Sequence, residues 1–166
     1  MLLSDLKCVS NNIDLDEYIL FTKKVKENMK NPKWLGEFSK EGLLYLLNNG
    51  SKIWIYYDKN TPVCSMMYIP ADKESINELG LLNYDYKKIV DYGPMLVNPN
   101  YLGKGLQYQM LLEIDKYSSS AKMKYAVVTS HPENIYSINN LLKDEFILID
   151  QKEFKRGIRN IYLKNL

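Results

Sequence analysis

Apolar positions along the chain follow two rhythms, and the changes between them mark the elements. "DLDEYILFTKKVKENMK" (14–30) has a helical pattern, with Asp14 as its N-cap and Pro32 just past its end. "SKEGLLYLLNNG" (39–50) predicts a second helix, capped by Ser39 and ended by Gly50 in a left-handed conformation. "KIWIYY", the turn "DKNTP" and "VCSMMYI" then read as a β-hairpin, and "KESINELG" as a short helix before a loop rich in Tyr and Lys. "KIVDYGPMLV" (88–97) is a strand interrupted at Gly93-Pro94, because proline cannot donate to a sheet ladder. A helix from about Gly105 to Tyr117 follows, with Leu106, Met110, Leu111 and Ile114 on one face. "YAVVTS" is a short buried strand, and "PENIYSINNLLKD" a helix with Pro132 in its first turn. "FILIDQ" and "IRNIYLK" close the chain as two strands around "FKRGI".

The order is α, α, β, β, short α, β, α, β, α, β, β. Strand, helix, strand in the middle implies a parallel crossover, and the hairpins at both ends are antiparallel. The expected fold is α/β: one domain over 1–166, with a mixed, mostly antiparallel sheet and helices on both faces.

Composition narrows the function classes. The chain has 166 residues, 46% hydrophobic and 25% charged, with a net charge of +2. That is an ordinary globular balance, and too weak a charge to argue for nucleic acid. The densest basic run, "FTKKVKENMK", reads as a solvated helix face. Cys8 and Cys64 form no CxxC pair and His131 is the single histidine, so a zinc centre is not expected. "MLLSDLKCVSNN" lacks the basic start and apolar stretch of a signal peptide, and no segment reaches the ~20 apolar residues of a membrane span. The expectation is a cytoplasmic protein with reduced thiols, no metal, and neither nucleic acid nor membrane as partner.

Candidate chemistry concentrates in "NPNYLGKGLQYQMLLEID" (98–115). A strand that ends in a glycine turn and opens a helix is an anion site. The helix N-terminus presents unpaired N–H groups, and glycine lets a phosphate approach them. Lys104 adds a charge. A nucleotide P-loop does not fit, since Asn98 stands where its first glycine belongs. A dinucleotide fingerprint fails at Tyr108. By itself Gly-Lys-Gly leaves a tight strand-to-helix turn as an equal alternative.

Two longer stretches decide more. "LVNPNYLGKGLQYQMLL" resembles the acyl-CoA-binding motif of the GNAT N-acetyltransferase superfamily, with Val97, Pro99, Tyr101, Gly103 and Gly105 in register. "HPENIYSINNLLKDEF" is similar to the superfamily's later helix, matching at His131, Pro132, Asn134, Ser137 and Phe146 without a gap. The order of elements agrees across nearly the whole chain.

That resemblance implies a splayed strand pair around the central parallel β-α-β unit, and acetyl-CoA as co-substrate. Met95, Leu96 and Val97 would offer backbone groups to the pantetheine arm. Leu102, Gly103, Lys104, Gly105, Leu106 and Gln107 would wrap the pyrophosphate. Asn134 would line the far side. His131 would be a loop residue beside Pro132 and not a catalyst. The sequence departs from the superfamily's pattern at several positions. Leu102 replaces a side-chain donor. Gln107 stands where a small residue is usual, so its side chain must turn away from the phosphates or bend back to donate to them. Leu141 occupies the position of the frequent general-acid tyrosine, and Glu145 that of a glycine before Phe146.

The implied activity is transfer of an acetyl group from acetyl-CoA to a primary amine, on a small molecule or an exposed peptide, by direct attack in a ternary complex. A CoA-binding regulatory module or pseudoenzyme is the alternative, favoured by Leu102 and Leu141. An unrelated α/β binding protein would need both motif matches to be accidental. A homodimer and an acyl group longer than acetyl are left open. An alkylammonium of pKa ~10.4 must lose a proton before it attacks, so a base matters more than an acid. Asp91, six residues before Val97, resembles by position the base of the histone-acetylating branch. With unbroken alternation, 91, 93, 95 and 97 would share a face and Tyr92 would point to the other. A strand-edge aspartate facing solvent is the competing reading. The acceptor would sit between the two N-terminal helices and 70–88, where Tyr84, Tyr86, Asp72, Glu74, Glu78 and Asp85 would make an aromatic, acidic surface for a cationic amine.

Overall fold

The computed structural model describes residues 6–9 and 12–166, with the side chains of Leu6, Asn12 and Ile13 left aside. The assessment of "MLLSDLKCVSNN" therefore falls largely outside the described residues. Among the described residues eight strands and five helices run in chain order. They are β1 (Leu6–Cys8), α1 (Asn12–Glu27), α2 (Lys40–Asn48), β2 (Lys52–Asp58), β3 (Thr61–Pro70) and α3 (Lys73–Glu78). Then come β4 (Ile89–Tyr92), β5 (Leu96–Val97), α4 (Leu106–Ser120), β6 (Tyr125–Ser130), α5 (Ile135–Lys143), β7 (Ile147–Phe154) and β8 (Gly157–Asn165). The spatial order is β1-β2-β3-β4-β6-β8-β7, with β5 paired to β3 off that path. Among the described residues only the β4–β6 pairing is parallel, across the α4 crossover. The expected mixed, mostly antiparallel sheet is what forms.

Alternation along the strands builds two cores. On one face Tyr56, Met66, Val90 and Tyr92 meet Leu106, Met110, Leu111 and Ile114 of α4 and Leu141 of α5. On the other, Ile53, Ile55, Met67 and Leu96 meet Leu15, Tyr18 and Phe21 of α1 and Leu43 of α2. Ile89, Val127 and Ile161 continue that second face under α3, against Ile76 and Leu79. Burying an aliphatic or aromatic side chain of this kind stabilises by roughly 1.5–3 kcal/mol.

Several boundaries differ from the sequence reading. β1 has no counterpart in the sequence pattern, because three residues are too few to show a period. Asp14 is not the N-cap of α1. It lies inside the first turn, 4% exposed, and pairs with Lys7 of β1 at 2.5 Å, so an ion pair across elements takes the carboxylate the cap would have used. Pro132 precedes α5, and Asn134 is the residue that caps it. Ser39 caps α2 by accepting from the Gly42 N–H at 3.0 Å, and Gly50 has φ 88°, both as the sequence implied. Among the described residues no helix is long and apolar enough to cross a membrane.

Candidate active site

The interruption at Gly93-Pro94 opens the sheet. β4 follows β6 only as far as the Asp91–Val127 pair, while β6 runs on to Ser130 beside β8 alone. Beyond the break, β5 stays with β3 through Leu96–Ser65 and Val97–Cys64. β5 and β6 are therefore splayed, and neither pairs with the other. The side of Met95, Leu96 and Val97 that faces β6 keeps backbone groups outside any ladder. Gly93 sits where a side chain would collide: a Cβ there would stand 3.0 Å from Ile69 Cδ1 and 3.1 Å from Met67 Cβ.

The break also changes the register. Between the Tyr92–Tyr68 and Leu96–Ser65 pairs, this stretch spends one residue more than β3. One extra residue flips the alternation. Asp91 thus shares its face with Leu96, packed toward α1 and α2, while Met95 and Val97 pack on the α4 side. The expectation that 91, 93, 95 and 97 share one face is corrected by that bulge. Tyr92 does point to the opposite face from Asp91. Its hydroxyl donates to Asp115 Oδ1 of α4 at 2.6 Å, and burial pushes the phenol well above its usual range. Asp115 and Asp144 both pair with Lys164, the latter at 2.9 Å, so an ion network ties strand end, α4 and β8 together. Desolvation outweighs that lysine at Asp144, whose carboxyl is pushed up to about 6.

At the mouth of the splay the chain turns through Pro99–Tyr101 into α4. Asn98 fixes this turn: 1% exposed, it donates to Pro62 O at 2.8 Å and accepts from the Asn100 N–H at 3.1 Å. Gly103 and Gly105 have φ 76° and 70°, and a Cβ on either would meet nothing within 4 Å. Gly105 is the N-cap, so no side chain caps α4. The N–H groups of the first turn, Leu106, Gln107 and Tyr108, are left open toward this space, which is a fit for an anionic group. Leu102 is 65% exposed at the rim and Leu106 is in the core, so either can contribute only backbone to such a group. Lys104 Nζ lies 4.6 Å from the centre of the Tyr101 ring, whose hydroxyl donates to Asp58 at 3.0 Å. Gln107 turns away: it donates to Ser137 Oγ at 2.9 Å and accepts from Asn140 Nδ2 at 3.1 Å, linking α4 to α5. Asn134 spends its carbonyl oxygen on the Ser137 N–H at 3.3 Å.

Asp91 is partly buried on the other face, and desolvation pushes its carboxyl up to about 6 despite the nearby positive charge of Arg156. Sequence reasoning missed that arginine. It sits in the turn between β7 and β8 and donates to Thr129 Oγ1 at 2.7 Å. His131, at the end of β6, accepts the Glu133 N–H on Nδ1 at 3.2 Å, a turn-stabilising role as expected. Nearby, a cavity of about 180 Å³ is walled by Tyr18, Lys23, Lys26, Gly36, Phe38 and Pro94. It lies between α1, the segment leading into α2 and the strand break, and none of the residues 70–88 expected to border the acceptor lines it. Of the expected acidic, aromatic surface, Asp72 caps α3, Asp85 caps the turn Tyr86–Lys88 and Tyr84 packs on Tyr125 at 4.9 Å, while Glu74 and Glu78 are exposed.

The overall arrangement of this sheet and its helices recurs in solved structures. An acetyltransferase of the GNAT family from Streptococcus pneumoniae aligns over 98% of this chain and 99% of its own, at 14% identity and TM-score 0.71. The fold is that of the GNAT acetyltransferases. The ribosomal-protein-alanine N-acetyltransferase from Brucella melitensis gives the same coverage and TM-score at 15% identity. The Salmonella typhimurium protein yncA, solved with its cofactor acetyl-CoA, aligns over 96% of this chain and 93% of its own, at 11% identity and TM-score 0.69. By sequence alone the chain matches no family profile and no curated protein. Beyond the two short motifs, the GNAT likeness is carried by three-dimensional arrangement.

Proposed function

We propose that this chain is an acetyl-CoA-dependent N-acetyltransferase that modifies a primary amine by direct attack in a ternary complex. The observation that carries the reading is the splay between β5 and β6 beside the uncapped, glycine-opened start of α4. Structurally similar proteins include one solved with its cofactor acetyl-CoA. Acetyl-CoA would supply an acetyl group already activated as a thioester.

The chain's own residues divide the work. Backbone N–H groups of 102–107 would hold the pyrophosphate, helped by the helix-end charge of about half a proton. Unpaired backbone groups of Met95, Leu96 and Val97 would fix the pantetheine arm, and Asn134 would border it. Asp91 takes the amine's proton, directly or through water. Its raised pKa makes it a stronger base than a free aspartate while leaving it mostly ionised at neutral pH. Leu141 is 1% exposed within the α4-side core, so that position offers no acid. A thiol leaving group of pKa ~8.5 needs little help from one.

The test is a thermal melt with millimolar CoA, followed by thiol release from acetyl-CoA across a panel of amines. A ligand at a hundredfold its dissociation constant stabilises by ~2.7 kcal/mol. An upward melt shift with amine-dependent thiol release is expected. No shift, together with no heat by calorimetry, removes the assignment. A shift without turnover marks a CoA-binding module instead.

A further inference from the structure

Building on that transferase reading, we infer that the acceptor is a free amino acid or a close analogue, with its ammonium at Asp91 and its carboxylate on the guanidinium of Arg156. Thr129, to which Arg156 donates at 2.7 Å, lies two residues beyond Val127, the sheet partner of Asp91. Thr129 and Asp91 therefore share one face, on neighbouring strands. With strands about 4.8 Å apart and a rise of about 3.3 Å per residue, their backbones are separated by roughly 8 Å. Side chains reaching in from both ends leave a gap suited to a zwitterion whose two charges flank a single carbon. The guanidinium is also held from behind: a Cβ on Gly36 would stand 3.0 Å from Arg156 Nη1. It is fixed between a strand and the loop before α2.

Charge points the same way. Among the described residues no carboxylate lies within ion-pair distance of Arg156. Arg159, three residues on and 1% exposed, has no such carboxylate either; it donates to Lys33 O at 2.8 Å and to Ile158 O at 2.7 Å. Burial lowers the pKa of Arg159, and the charge of Arg156 adds to that effect against the opposing charge of Glu153. Two arginines without a bound acid, one of them buried, make a local positive field beside the putting-down point of the amine. A guanidinium is built to grip a carboxylate through two parallel hydrogen bonds. Trp34 Nε1, buried in the segment that Arg159 anchors, is a donor with no partner. The neighbouring cavity of about 180 Å³, lined in part by Gly36 and Pro94, has room for the amino acid's side chain.

The experiment measures thiol release from acetyl-CoA with a panel of amino acids and the matching amino acid amides, which keep the amine and lose the carboxylate. Amino acids should show a KM about 10- to 100-fold lower than their amides, the reach of one charge-assisted contact. Arg156→Gln should raise KM for the acids by that factor, leave the amides unchanged, and leave CoA affinity unchanged. Arg156→Lys should restore only part, since an ammonium cannot form the fork. Equal use of acids and amides overturns the inference, as does an Arg156→Gln defect of the same size on both. Thiol release only with amines outside both panels also overturns it, and leaves the transferase reading standing. If CoA binds and no amine is acetylated, the inference falls and a binding module remains. If CoA does not bind, the transferase reading itself has failed.

Discussion

The glycine turn at 102–107 and the Asp91–Thr129–Arg156 cluster sit at the two sides of the same strand break, yet they are built by different means. The turn consists of consecutive residues, and what it offers is backbone: left-handed glycines and the uncapped first turn of α4. The cluster draws single side chains from β4, β6 and the β7–β8 turn, against the loop before α2. A backbone site can be read from a short stretch of sequence and tolerates side-chain change. A side-chain cluster depends on register and on the docking of distant elements. Substitutions should therefore separate the two regions.

The largest effect is expected where the regions share a support. Lys164→Met leaves Asp115 and Asp144 facing each other without their cation, and removing one partner of a buried pair costs about 3–5 kcal/mol. Denaturant melts should show that loss at pH 7. It should shrink near pH 5, where carboxyls such as Asp144, already pushed up to about 6, take up protons. An undiminished melting point would mean that the network does not brace the strand end.

Next comes the turn. Gly105→Asp places a side chain and a negative charge in the open space of the glycine cradle, and CoA affinity should fall by ~100-fold or more, or about 2.7 kcal/mol. Aspartate tolerates a positive φ better than most residues, so the melt should move little. Wild-type affinity in calorimetry would place the phosphates elsewhere.

Asp91→Asn should lower kcat by ~10²-fold with little change in KM for acetyl-CoA. In the wild type, kcat/KM should fall as pH drops through about 6, because the base is then protonated. The variant should lose that limb, and its deficit should narrow as pH rises toward the amine's own pKa. Stability carries the opposite sign. Burial raises the folded-state pKa above ~3.9, so the folded state binds more protons between there and about 6, and stability drops as pH rises through that window. Asp91→Asn should thus melt higher than wild type at pH 7 and equally near pH 3. Unchanged kcat at neutral pH would make Asp91 structural.

The smallest effect is expected from Lys104→Ala. Its ammonium rests on the exposed side of Tyr101, and an exposed charge contributes about 0.2–1 kcal/mol, at most a few-fold in CoA affinity. A larger loss would blur the contrast, by showing that the turn too relies on side chains.

Much of this fold was legible because local physics decides it. Pro94 cannot join a ladder, Gly50 and Gly105 permit a left-handed backbone, and the α4 stripe from Leu106 to Ile114 must be buried; each follows from a few adjacent residues. The glycine turn belongs with them. What the chain could not announce needed packing. The sharing of Asp14 with Lys7 rather than a helix end, and the turning of Gln107 toward Ser137 and Asn140, depend on elements brought together from a distance. Which face Asp91 occupies was undecidable from alternation, since one extra residue at the break reverses it and only pairing with β3 counts that residue. Arg156 reads as one more turn cation until β8 is laid beside β6 and its guanidinium meets Thr129. The sequence determined where backbone would be exposed, because that is a property of neighbours in the chain; the tertiary structure decided which charges meet, because that is a property of neighbours in space.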